Sequence, residues 1–330
     1  MPELPEVETV RQILRSEIIG KTIQKVEIYK PKDEARKRIS LVKEISEEEL
    51  VNLLIGKTIY EIDRKGKCLF FILGVRTSDT QDIHQNTYVL ISRLGMTGKY
   101  FIEEKILTPT SEQEQKDLFK KHNTDDSRVL TFYLDNGQES TKLIYCDSRR
   151  FGSFRLQNFK DYKQLEPYKN IGTDLLEEKV NTKLLFEHYQ KRKVSIKNAL
   201  LEQKVISGIG NIYASEILFD TKIHPLKKTN QLTCLEVEKI ISSAQNILKE
   251  ALKLKGTSEF DFVNPLSKEG SYQERLKVYN RAGKPCPNNC GGLIEKIKKE
   301  EKEINKGKIN ENKPKERSTF FCPQCQKLEL

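Results

Sequence analysis

Ser195-Ile-Lys-Asn-Ala-Leu-Leu-Glu-Gln-Lys-Val-Ile-Ser-Gly-Ile-Gly-Asn-Ile-Tyr-Ala-Ser-Glu-Ile-Leu218 holds the most informative local pattern in the chain. Ser195–Glu202 and Asn211–Leu218 are each helical in pattern, and Gly208 and Gly210 fall between them. Two glycines before a helix allow a tight turn and leave N–H groups aimed outward, where a phosphate fits. Ordinary tight helix connections use glycine too, so the motif alone does not decide. Lys191, Arg192, Lys193 and Lys197 around its start favour the phosphate. Outward from this segment, helical patterns run from Asn181 to Lys255. They include a long helix opened by a capping box of Thr233 and Glu236. Residues 256–284 read as irregular.

The N-terminal half has a different character. Val7, Val10, Leu14 and Ile18 recur at helical spacing, with Gly20 as a C-terminal cap and acidic Glu3, Glu6 and Glu8 at the start. A second helix is expected from Ser46, with Glu49 completing its capping box, to about Leu54. Strands are expected over Thr22–Tyr29, Thr58–Asp63, Cys68–Leu73, Tyr88–Ser92, Val129–Leu134 and Leu143–Cys146. Polar stretches at 76–87 and 109–127 read as long loops. No helices of 10–15 residues alternate with these strands, so a mostly antiparallel sandwich is expected and not a doubly wound sheet.

Beyond the helical region stand four of the seven Cys, as Cys286-Pro-Asn-Asn-Cys290 and Cys322-Pro-Gln-Cys325. Each knuckle sets two thiolates close enough to share one tetrahedral ion, and four satisfy a structural zinc site with no open position. Two disulfides or four free thiols are the competing reading, disfavoured in an intracellular chain. Residues 295–317 between the knuckles carry nine Lys/Arg and six Glu, a solvated charged insertion. Cys68, Cys146 and Cys234 lie in apolar patterns and read as core.

The chain has 330 residues, 36% of them hydrophobic, enough for two medium domains and a smaller module. Its 58 Lys+Arg against 48 Asp+Glu leave +10, which suits a polyanionic partner, although a solvated lysine-rich surface explains it as cheaply. No run of 18 apolar residues suggests a transmembrane helix, and the N-terminus lacks a secretory pattern. A soluble, intracellular protein is expected. Met-Pro is also a start from which the initiator Met can be removed, exposing the Pro2 amine. With a reference pKa near ~8, an α-amine is roughly one-tenth neutral at pH 7. By composition alone, Pro-Glu is an ordinary helix start.

Six segments, in order, carry a resemblance over residues 1 to 326. They are Met1-Pro-Glu-Leu-Pro-Glu-Val-Glu-Thr-Val-Arg11, Leu94-Gly-Met-Thr-Gly98, Asp147-Ser-Arg-Arg-Phe-Gly152, Gly208-Ile-Gly-Asn-Ile-Tyr-Ala-Ser-Glu216, Tyr272-Gln-Glu-Arg-Leu-Lys-Val-Tyr279 and Arg317-Ser-Thr-Phe-Phe-Cys322. Together with the paired cysteines they resemble the bacterial formamidopyrimidine-DNA glycosylases. Leu4 favours that branch over endonuclease VIII, which opens Pro-Glu-Gly-Pro-Glu. The resemblance implies an α+β multidomain fold. Its parts would be an N-terminal β-sandwich catalytic domain (1–160), a linker (161–180), a helix–two-turn–helix DNA-binding domain (181–275) and a four-Cys zinc finger (276–330). It implies a bifunctional base-excision-repair enzyme, monomeric and cytoplasmic. Such an enzyme excises oxidised purines (8-oxoguanine, formamidopyrimidines) from double-stranded DNA and cuts the strand by β,δ-elimination.

The resemblance also implies residue roles. Pro2 would attack the sugar C1′ and form a Schiff base, and Glu3 would handle protons. Lys67 would serve β-elimination, with Lys65 as its near competitor, and Arg317 would bind phosphates and serve δ-elimination. Met96, Arg149 and Phe151 would fill the space left by the everted nucleotide. His122, Arg149 and Arg192 would contact DNA, with Lys197 and Asn211 on the phosphate side. Glu6 and residues 256–275 would border the base pocket. Cys286, Cys290, Cys322 and Cys325 would hold one Zn2+. Arg93 stands where the family often has His, and Lys255-Gly-Thr-Ser258 replaces a Gly-Gly-Thr-Thr-like stretch; both bear on lesion preference. The competing readings are an oxidised-pyrimidine glycosylase of the endonuclease VIII type and a non-catalytic DNA-binding zinc protein.

Overall fold

The computed structural model describes residues 2–75, 87–159, 161–258, 261–297 and 318–328. It divides into two compact units: Met1–Gly172 with Glu250–Glu274, and Thr173–Lys249 with Arg275–Leu330.

The first unit opens with helix α1 (Leu4–Ile18). Its periodic Val7, Val10, Leu14 and Ile18 are fully buried, each worth roughly 1.5–3 kcal/mol relative to exposure. Strand β1 (Thr22–Ile28) and helix α2 (Glu47–Leu54) follow; Ser46 caps α2 by accepting the Glu49 N–H at 3.0 Å. Then come β2 (Thr58–Lys65), β3 (Cys68–Gly74), β4 (Tyr88–Arg93) and β5 (Lys99–Ile102). Helix α3 (Gln113–His122) precedes β6 (Arg128–Asp135), β7 (Ser140–Cys146) and β8 (Ser153–Asn158).

All eight strands join antiparallel in the order β5-β7-β6-β1-β2-β3-β4-β8. β1 and β2 share only the Thr22–Thr58 partner pair, so the sheet is two four-stranded halves hinged at one corner. The halves face each other: Tyr100 of β5 packs on Phe71 of β3 at 5.9 Å, and Tyr145 of β7 on Phe154 of β8 at 4.8 Å. One core cluster spans both halves and α1. The expected antiparallel sandwich is therefore present. Residues 161–171 lie on the outer face of β3 and β4 through Leu165, Ile171, Tyr162 and Tyr168.

Three expectations need correction. β5 was not expected: four residues are too few to display alternation, and all four are buried. β8 was not expected either, because only Phe154 and Leu156 mark its inner face among polar residues. The stretch 109–127 is not one loop. It contains α3, held by Phe119 against Phe101 at 5.4 Å and by Gln115 donating to the Leu266 carbonyl at 2.9 Å. The expected loop at 76–87 lies, apart from Thr87, outside the described residues.

In the second unit, α4 (Thr182–Gln190), α5 (Ile196–Leu200), α6 (Asn211–Asp220) and α7 (Cys234–Lys253) follow in order, and α7 runs on into the first unit. Ser195 caps α5, and Thr233 and Glu236 form the expected reciprocal cap of α7. Cys234 corrects its core assignment: as the first residue of α7 it is exposed, whereas Cys68 and Cys146 are buried. A short antiparallel pair of β9 (Glu295–Ile297) and β10 (Thr319–Phe321) leads into the C-terminal knuckle. Among the described residues, no helix is long and apolar enough to cross a membrane.

Candidate functional site

Pro2 is buried at the start of α1 and lines a narrow cleft with Met96, Thr97, Gly98, Lys99, Asp261 and Phe262. Glu3 and Glu6 behind it are also buried. The Glu6 carboxylate accepts the Glu3 N–H at 2.8 Å and the Thr257 N–H at 2.7 Å. Gly256 makes that approach feasible. Its φ is +83°, and a Cβ there would meet Glu6 Oε1 at 2.7 Å. Glu6 thus fixes residues 256–258 beside the helix that presents Pro2.

Lys67 is half-buried in the two-residue turn between β2 and β3. The turn is tied to α1 through Arg64, which is fully buried. Arg64 Nε donates to Glu8 Oε2 at 2.8 Å and Nη1 to the Gly66 carbonyl at 3.0 Å. Burial alone would raise the Glu8 pKa, but hydrogen bonds from Arg11 and Arg64 outweigh it and hold the carboxyl below its ordinary value. A depressed carboxyl contributes stability at neutral pH that is lost as pH falls through its folded pKa. Arg64→Met removes one of the two guanidinium partners of Glu8, leaving Arg11 at 2.7–2.9 Å, and takes the donor from the Gly66 carbonyl, so it is expected to destabilise the unit by about 1–3 kcal/mol. Denaturant unfolding measures this, and the deficit should shrink at acid pH, where Glu8 is protonated. A loss under 1 kcal/mol would contradict this bracing.

Met96, Arg149 and Phe151 come together on two loops tied by Asp147. Thr97 Oγ1 donates to Asp147 Oδ1 at 2.5 Å, and the Gly152 N–H donates to Oδ2 at 2.7 Å. The Arg149 N–H contacts Thr97 Oγ1 and Asp147 Oδ1, both at 3.2 Å. At Gly95, φ is +64° and a Cβ would meet the Phe151 backbone at 2.5 Å, so the loops touch without side-chain spacing. On this buried frame Met96 is 39% and Phe151 55% exposed, with the Arg149 guanidinium 4.7 Å from the Phe151 ring centroid. Apolar side chains held rigidly in solvent beside a cation suit insertion into an opened base stack.

His122, at the end of α3, is half-buried. Burial, followed by the Lys99 and Lys121 charges, pushes its pKa down to about 4. At neutral pH its ring is uncharged and offers a hydrogen bond, not a charge, to any partner.

In the second unit, the Gly208–Gly210 turn follows α5 and leads into α6. It is buried, and Gln203 organises it by accepting the Gly208 N–H at 2.9 Å and donating to the Ile209 carbonyl at 2.8 Å. Arg192 forms a two-point pair with Glu202 at 2.6 and 2.7 Å. Lys197 is buried and donates to the Ser318 carbonyl at 2.7 Å and Thr319 Oγ1 at 2.8 Å; Asn211 donates to the same carbonyl at 3.0 Å. Both therefore anchor the entry to β10. Arg317 lies outside the described residues.

The four C-terminal cysteines converge, with all Sγ atoms within 4.8 Å of one another. Cys286–Cys325 and Cys290–Cys322 stand at 3.7 and 3.5 Å, far from the roughly 2.05 Å of a disulfide. Four thiolates at about 2.3 Å from one zinc ion are about 3.8 Å apart along a tetrahedron's edges, so the donor set fits a metal. Glu216, buried on α6, accepts the N–H groups of Lys277, Val278 and Tyr279 at 2.7–3.0 Å and fixes the chain leading into this module. Sequence reasoning missed Arg64, Asp147, Lys99, Gln203 and Glu216. Asp147, Gln203 and Glu216 lay inside quoted segments; Arg64 and Lys99 carried no signal beyond ordinary polarity.

Two family models match the chain. One, for the formamidopyrimidine-DNA glycosylase N-terminal domain, covers residues 1–154; the other, for the H2TH domain of the same enzymes, covers residues 171–262. A formamidopyrimidine-DNA glycosylase of Mycoplasma mobile is 35% identical over 328 residues, 99% of this chain and 100% of that one. Among solved structures, a Lactococcus lactis Fpg mutant in complex with DNA containing Fapy-dG is 34% identical, with a TM-score of 0.73. The Lactococcus lactis Fpg in complex with DNA containing an abasic site is 34% identical, with a TM-score of 0.72. Both comparisons cover 99% of this chain and 100% of the other.

Proposed function

Because the chain belongs to the formamidopyrimidine-DNA glycosylase family, we propose that it excises oxidised purines from duplex DNA and cleaves the strand through an imine on Pro2. The observation that carries this reading is the cleft itself: Pro2 and the loop bearing Met96 border one opening. A nucleotide everted by Met96 and Phe151 would bring its sugar to Pro2.

In this mechanism the Pro2 amine, freed by removal of Met1, attacks C1′ as the bond to the damaged base breaks. Covalent catalysis divides one hard displacement into easier steps. Glu3 moves protons at the sugar, and sugar-ring opening leaves the imine. Lys67, on its braced turn, serves β-elimination. Arg149 hydrogen-bonds the orphaned cytosine. His122 and Arg192 contact the backbone, the latter after exchanging Glu202 for phosphate. Lys197 and Asn211 support the phosphate side. Arg317, on resemblance alone, binds phosphates around the lesion and serves δ-elimination. The ion of the four-Cys site is Zn2+, and a closed thiolate set supplies shape and no chemistry.

Single-turnover excision from duplexes bearing 8-oxoguanine, a formamidopyrimidine or thymine glycol tests the substrate class. The reading expects both purine lesions to lead; thymine glycol leading by tenfold would assign the protein to oxidised pyrimidines. Met96→Ala is expected to slow excision at least tenfold while leaving affinity for undamaged duplex within twofold, because the wedge acts only on the opened stack. Wild-type excision by this variant would remove the wedge role.

A further inference from the structure

The cleft that Pro2 lines is also bordered by a lysine that the proposed chemistry does not use. Lys99 opens β5, is only 6% exposed, and donates to the Thr97 carbonyl at 3.2 Å. Its ammonium is therefore kept on the loop of Met96 and does not reach into bulk solvent. Pro2, Lys99 and Asp261 border the same opening. The charged and titratable groups acting on Lys99 are Asp261, Cys146 and Asp147, and Lys121 of α3; His122 of α3 in turn feels the Lys99 charge. Glu3, the N-cap of α1, and Glu6 in its first turn are both buried next to Pro2 in the chain. Burial disfavours the Lys99 charge, and Asp261 and Asp147 oppose that effect. His122 is held neutral, so it adds no charge of its own.

We propose that Lys99 is a positioning residue for charge: its ammonium favours the neutral, nucleophilic form of the Pro2 amine, and Asp261 limits the strength of that effect. The inference rests on Pro2 being the nucleophile. Two cations bordering one cleft repel, so the presence of one makes protonation of the other harder. A neighbouring cation is one of the recognised ways an amine nucleophile is activated. Lys99 forms no bond in the reaction and acts only through Pro2.

The test is the pH profile of borohydride trapping on a preformed abasic-site duplex, with untagged full-length protein. Trapping falls on the acid side as the Pro2 amine protonates. Lys99→Met is expected to move that acid limb up by about one pH unit, so that the rate below the limb drops roughly tenfold. Lys99→Arg keeps the charge and is expected to leave the limb in place. Asp261→Asn, at an exposed side chain, is expected to move the limb down, which supplies a reading of opposite sign should Lys99→Met fold poorly. A Lys99→Met limb coinciding with wild type, in protein with unchanged metal content and thermal transition, would overturn the inference. So would a limb shifted equally by Lys99→Arg, or one that stays or rises in Asp261→Asn. Absence of an N-terminal adduct in the wild type would instead refute the Pro2 nucleophile itself.

Discussion

Pro2→Gly is expected to lower imine trapping on an abasic-site duplex by about 100-fold while leaving metal content and duplex affinity unchanged. The substitution keeps an amine at residue 2, so the loss measures placement. A proline ring fixes φ near about −65°, and Pro2 is buried against the cleft walls. Glycine loses both the ring and its packing, and misplacement of a nucleophile by about 1 Å costs on the order of 10²-fold. An N-terminal extension that acylates the Pro2 nitrogen is expected to abolish trapping altogether, because an amide nitrogen cannot form the imine. Single-turnover trapping measures both effects. An unchanged rate in Pro2→Gly would argue that another amine carries the chemistry.

Cys322→Ser has the other large expected effect: loss of the bound metal and a fall of at least tenfold in DNA affinity. Cys322 is fully buried, and its backbone N–H donates to Gln326 Oε1 at 2.9 Å. Gln326 Nε2 in turn reaches the Ile223 carbonyl at 2.8 Å, just after α6. Removing one thiolate leaves three ligands, and structural zinc sites supply apparent folding free energies of about 10–16 kcal/mol. The entry to β10 would then be held by Lys197 and Asn211 without the metal-bound knuckle that follows it. Elemental analysis and salt-dependent duplex binding measure the result. Full metal occupancy with wild-type affinity would exclude the closed four-thiolate site.

Much of this was legible from the chain because the relevant signals are local. The α1 spacing, the Ser46 and Thr233 caps and the paired knuckles each lie within a few residues, and all appear where expected. What escaped depends on distant partners. Whether Arg64 pairs with Glu8, 56 residues away, is invisible to periodicity. Nothing in the sequence around Gly208 announces that Gln203 takes up its N–H. Gly256 reads as a turn residue, yet its conformation serves the approach of Glu6, 250 residues earlier. Cys234 misled for the reverse reason: an apolar neighbourhood in sequence does not make the first residue of a helix face inward.

The central claim is that the residue-2 nitrogen forms the covalent link to the damaged sugar. The most direct measurement is borohydride trapping of untagged protein, its mass first confirming loss of Met1, on a duplex carrying 8-oxoguanine opposite cytosine. Peptide mass mapping then locates the adduct. The account predicts one adduct, on the peptide beginning at Pro2, and none with undamaged duplex. An adduct on Lys67, Lys99 or any other internal lysine, or no adduct at all, would contradict it.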